Sequence, residues 1–100
     1  MIVGRVIGTV VCTQKDARLE GVKLLLVQPV SVADLKNEAK PLVAVDTVGA
    51  GAGELVMVCA GSSARQTTQT TNTPTDACIM GIVDTLDVEG QVVFRKDQGQ

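Results

Sequence analysis

Residues 46–65 read DTVGAGAGELVMVCAGSSAR, and the segment behind the glycines decides the fold. Glycines at 49, 51 and 53 after an apolar run invite comparison with a phosphate-cradling loop. A dinucleotide fold needs G-x-G-x-x-G between a strand and a helix whose N-terminal amides face the pyrophosphate. Here the spacing is G-A-G-A-G, and ELVMVCA behind it has the length and composition of a strand, so no helix dipole would face an anion. A Walker-type loop is excluded too, because Gly61 precedes Ser62 and no lysine lies between 41 and 95. The glycines are read instead as backbone devices that supply positive φ and let two backbones approach closely.

Working outward from this loop, the chain reads as strands and turns. Met1 to Thr13 is a long bent strand with Gly4 and Gly8 at points of curvature or close approach. Gln14 to Gly21 is a polar turn, Val22 to Val30 a second strand, and SVADLKNEAK an exposed loop. Pro41 opens a third strand, PLVAVDTV, and Glu54 to Ala60 is the fourth. Ser62 or Ser63 can cap one short helix after Gly61. The threonine-rich QTTQTTNTPT, with Pro74, is an exposed loop. Asp76 to Val88 is read as one fifth strand with an internal Gly81. Val92 to Phe94 forms a short tail strand after a turn at Glu89 and Gly90, and residues 95–100 fray. The fold class expected is all-β: a small five-stranded OB-like barrel, its corners turned at glycines.

The bulk composition agrees. One hundred residues make a single domain that buries about 60 to 68% of its unfolded surface. Apolar residues are 45% of the chain while Phe94 is its only aromatic, so the core must be aliphatic, and richness in valine favours strands. The longest apolar runs fall far short of the roughly 20 residues of a spanning helix, and the N-terminal run lacks a leading charge cluster and a small-residue cleavage site. Cys12, Cys59 and Cys78 are few, odd in number and set among aliphatic residues, as expected of buried reduced thiols in a cytosolic protein.

The same inventory removes most chemistry. Without histidine the chain lacks the commonest general base and the usual partner of a serine or cysteine nucleophile. Metal binding meets the same objection, since there is no C-x-x-C and the carboxylates are dispersed; Asp46, Glu54 and Asp84 are read as solvated or turn-capping groups. The related stretches VAVDTVG (43–49) and GIVDTLD (81–87) are read as two strand ends using Asp and Thr for similar turn hydrogen bonds. Single-stranded nucleic acid needs aromatic platforms and a basic groove, and one Phe with a net charge of −2 supplies neither. A free-standing ligand-binding barrel and an enzyme with a cysteine nucleophile are the alternatives these residues leave open.

Three blocks carry something more specific: GRVIGTVVCTQKDARLEGVKLLLVQPV, VAVDTVGAGAGELVMVCAGSSAR and GIVDTLDV. Over residues 1–88 and in this order they resemble the bacterial microcompartment vertex proteins, which include the ethanolamine-utilisation, propanediol-utilisation and carboxysome vertex subunits. The resemblance implies an OB-like barrel assembled as a homopentamer. Such a pentamer caps the five-fold vertices of a polyhedral shell tiled by hexameric shell proteins, in the bacterial cytoplasm, with no catalysis and no cofactor. It further implies one vertex domain over residues 1–100, barrel to about 88 and a polar tail over 89–100. Gly49, Gly51, Gly53, Glu54, Gly61, Ser62, Ser63, Ala64 and Arg65 become candidates for the pentamer interface or central axis. Arg65 would offer charge-assisted hydrogen bonds to a neighbouring subunit.

Overall fold

The computed structural model describes residues 1–13, 15, 17–19, 21–61 and 76–96. Among these residues seven strands follow in chain order: β1 (Ile2–Val10), β2 (Lys23–Pro29), β3 (Leu42–Asp46), β4 (Leu55–Ala60), β5 (Ala77–Ile82), β6 (Thr85–Val88) and β7 (Gln91–Arg95). The first five close a barrel in the order β1-β2-β3-β5-β4, while β6 and β7 form a separate two-stranded sheet. All barrel pairs are antiparallel except β3 with β5, whose parallel pairing joins Val45 to Cys78 and Asp46 to Ile79. This is the five-stranded Greek-key barrel expected of an OB-like chain.

Strand alternation sends Val6, Leu25, Val27, Ala44, Val56, Val58 and Ile79 into one aliphatic core. Each large member contributes about 1.5–3 kcal/mol through burial. Gly4 sits where β1 pairs with both β2 and β4, opposite Pro29 on one side and Val56 on the other. A Cβ there would overlap Val27 Cγ1 and lie 3.0 Å from the Gln28 carbonyl oxygen, so the close approach of β2 leaves no room for a side chain at this glycine. Gly8 adjoins a register shift in β1 that bends the strand.

Several sequence expectations require correction. The fifth strand is not continuous over 76–88. The Val83 amide still donates to the Leu55 carbonyl of β4 (2.8 Å), and the chain then bends at Asp84 and starts a new pairing at Thr85. The first strand ends at Val10, and Cys12 beyond it is exposed rather than buried. The expected turn over 14–21 contains one 3-10 turn, Ala17–Leu19. The short helix expected after Gly61 and the loop of 66–75 lie outside the described residues.

The segment assigned to a polar tail is structural as far as Lys96. Glu89 and Gly90, with φ of 52° and 82°, make a two-residue turn of the kind that joins twisted hairpin strands. Across it Val88 pairs with Gln91 and Leu86 with Phe94. Phe94 is buried with Val30 and Leu55, and Val3, Leu35, Val83 and Leu86 pack around them. The hairpin thus builds a second core on the barrel's outer wall.

Candidate functional site

The glycine loop connects β3 to β4 and closes one end of the barrel. Asp46 ends β3, and its carboxylate accepts the amides of Val48 (3.0 Å) and Gly49 (3.1 Å), an Asx turn that starts the loop. Thr47 Oγ1 donates to the Ile79 carbonyl (2.7 Å) and ties the turn to β5. The second Asp-Thr, Asp84 and Thr85, is used differently: the Asp84 carbonyl accepts the Lys96 amide at 2.9 Å, which fixes the end of the hairpin. Ala50 is fully buried and plugs the core, while its carbonyl accepts Lys23 Nζ at 3.1 Å.

Gly49 and Gly53 have φ of 77° and 84°, which an L side chain resists, while a Cβ at either would meet nothing within 4 Å. Conformation, not space inside the subunit, requires glycine at both. At Gly51 φ is not positive, and a Cβ would make ordinary contact, 3.5 Å from Glu54 Oε1. The loop is stitched to β1 by Gly53 N–H to the Val6 carbonyl (2.8 Å) and Val6 N–H to the Glu54 carbonyl (2.9 Å).

Glu54 is the electrostatic centre of this end. Oε1 accepts the Gly51 amide at 2.6 Å and Oε2 pairs with Lys96 Nζ at 2.7 Å. The hydrogen bond from Lys96, followed by that from Gly51, holds the carboxyl below its ordinary range, and the same pair holds Lys96 above the ordinary lysine value. Arg5 Nη1 donates to the Gly53 carbonyl (3.0 Å), and its guanidinium lies 5.9 Å from the centre of the Phe94 ring. Arg5, Gly53, Glu54, Phe94 and Lys96 line a cleft of about 260 Å³.

The chemistry of this cleft is structural. Its carboxylate is paired, and among the described residues no buried side-chain nitrogen or oxygen lacks a partner. Nor do His, Cys, Asp and Glu gather in threes among the described residues: Asp46 caps a turn while Glu54 pairs with Lys96. No helix among them is long and apolar enough to cross a membrane.

The candidate residues divide into two groups. Gly49, Gly51, Gly53 and Glu54 lie before β4, whereas Gly61 follows it, its amide donating to the Asp76 carbonyl at 2.8 Å. A six-residue strand separates the groups by about 20 Å. Ser62, Ser63, Ala64 and Arg65 lie outside the described residues. Sequence reasoning missed Arg5, Phe94 and Lys96 as members of the glycine-loop end; the turn signal at Glu89 and Gly90 was the available hint that residues 91–96 fold back.

Comparison with known proteins fits this architecture. The chain is 52% identical over 90 residues to the microcompartment shell vertex protein PduN of Salmonella typhimurium, covering 86% of this chain and 98% of that protein. The structure of Gloeobacter violaceus CcmL superposes with a TM-score of 0.91 at 41% identity, covering 97% of this chain and 99% of that one. The GrpN pentameric microcompartment shell protein from Rhodospirillum rubrum gives a TM-score of 0.79 at 48% identity, over 88% of this chain and 99% of that one. The model of the family described as "Ethanolamine utilisation protein EutN/carboxysome" matches residues 1–84, and the chain belongs to that family.

Proposed function

We propose that the protein is a structural shell subunit: a homopentamer that caps the five-fold vertices of a polyhedral bacterial microcompartment. The observation that carries this reading is the likeness, over 86–88% of this chain and 97–99% of the relatives, to proteins named as microcompartment shell proteins, GrpN among them a pentameric one. The partners are its own copies and the hexameric shell proteins around each vertex, inside the bacterial cytoplasm. A flat sheet of hexamers closes only where pentagonal units are inserted, and a rigid barrel suits that position.

The barrel surface supports assembly. Ile7, Val43, Met57 and Met80 are large apolar side chains left exposed on barrel strands. A five-fold ring is head-to-tail, so two different faces of each barrel must meet and the rotation must close. The glycine loop before β4, Gly61 after it and the residues 62–65 that follow in sequence are assigned to these contacts, with Arg65 bonding to a neighbouring subunit.

Shell closure tests the function. Co-production with a hexameric shell protein should give closed polyhedral particles by electron microscopy, and omission of this chain should leave sheets, tubes or open particles. Particles of the same shape with and without it would refute the assignment.

A further inference from the structure

Cys59 and Cys78 lie directly opposite each other on antiparallel β4 and β5 and form a buried cluster of their own. Two residues along the ladder, the Gly61 amide donates to the Asp76 carbonyl at 2.8 Å, one of the two bonds of a hydrogen-bonded pair. Antiparallel pairs alternate, so 59 and 78 are again a hydrogen-bonded pair, with Cα atoms about 5.5 Å apart. A disulfide spans Cα separations of about 4.4–6.8 Å and favours about 5.5–6 Å, while its Cβ atoms sit about 3.5–4.5 Å apart, closer than in an ordinary opposed pair, so closure must draw the two side chains together.

Directly opposed residues share one face of the sheet, so both sulfurs lie on the same side. That side is the outer wall, because the adjacent pair, Val58 and Ile79, points into the core. Val45, beside Cys78 on β3, is also buried. Burial pushes the Cys78 thiol up, while a hydrogen bond with Thr47 pulls it the other way and Cys59 and Asp46 add to the rise. Cys78 is therefore a protonated, slow nucleophile until a partner sulfur is activated beside it.

We propose that Cys59 and Cys78 are a redox pair, closed to an intrachain cystine by a small-molecule disulfide. The thiolate of Cys59, the less buried of the two, attacks one sulfur of R–S–S–R, forming a mixed disulfide and releasing RS⁻. Cys78 then gives up its proton, and its sulfur attacks the Cys59 sulfur and expels the second RS⁻. Two protein thiols are oxidised, one small disulfide is reduced to two thiols, and the two protons leave on them. The cystine closes a loop over positions 60–77, including the threonine-rich segment, and restricts the unfolded chain. This holds for the single subunit, whatever its assembly.

The test uses the Cys12→Ser protein, which lacks the exposed thiol. The folded protein is incubated with oxidised glutathione, denatured, and examined by thiol titration, intact mass and peptide mapping. Both remaining thiols should disappear with no glutathione retained, one peptide should link 59 to 78, and the melting temperature should rise by on the order of 10 °C, reversibly with dithiothreitol. In the Cys12→Ser, Cys78→Ala double variant Cys59 should stop at a glutathione adduct. Two free thiols after oxidation of the folded parent, or an adduct retained on either cysteine of it, would overturn the proposal, and these parent results stand even where the double variant folds poorly.

Discussion

Phe94→Ala should destabilise the protein by about 3–5 kcal/mol, the loss expected when a buried aromatic ring leaves a cavity. Phe94 is 2% exposed and centres the second core, with Val30 just past β2, Leu55 of β4 and Leu86 of the hairpin. The damage should be local first. Amides of β6 and β7 should lose hydrogen-exchange protection while those of β1 to β5 keep theirs, because the main aliphatic core does not contain Phe94. Uniform loss of protection, or a cost under about 1 kcal/mol, would contradict the hairpin's role as a separately packed element.

Acid should loosen the same hairpin. The folded-state pKa of Glu54 is lowered, so its contribution is complete above the ordinary value of 4.5 and fades as pH falls through the lowered folded value. Lys96, raised above 10.5, contributes fully below that value and loses its share as pH rises through the folded one. Between these limits the ion pair joining the hairpin to the glycine loop is intact.

Gly4→Ala should cost about 1–3 kcal/mol, although alanine ordinarily suits a strand better than glycine. The added carbon overlaps Val27 Cγ1, and a β-branched side chain in a strand has little freedom to rotate away. The Gln28 carbonyl oxygen, 3.0 Å from the same point, belongs to the β2 backbone and cannot yield without disturbing the ladder. Gly8→Ala is the internal comparison: its added carbon would meet only Leu26 Cβ at 3.9 Å, so the change should be neutral or stabilising. Urea denaturation of the two variants measures the contrast. Equal stabilities would remove the argument that Gly4 is required by close approach.

The barrel was legible because its signals are local. Runs such as LLLVQP and LVMVCA have strand composition, and the glycine loop breaks them where the structure does. The departure of the chain from the barrel at Val83 was hidden, because apolar residues continue across it into a second buried face: Ile82 packs on the main core and Val83 and Leu86 on the other. Val92 to Phe94 was readable as a short strand after the turn at Glu89 and Gly90, but not that its pairing with β6 buries Phe94 in a second core. The opposition of Cys59 and Cys78 depends on a register set partly by the shift at Met57 and Val58, which no local pattern encodes. Among the candidate site residues, the φ requirement at Gly49 and Gly53 was readable from residue type, whereas the Glu54 to Lys96 pair joins positions far apart in the chain.

Native mass spectrometry of the purified chain tests the pentameric vertex assignment most directly. The subunit weighs 10.4 kDa, and rings of five and six copies differ by one whole subunit mass, so the assemblies separate cleanly. A dominant species of five subunit masses is the expected result, and a dominant monomer or hexamer would contradict the assignment.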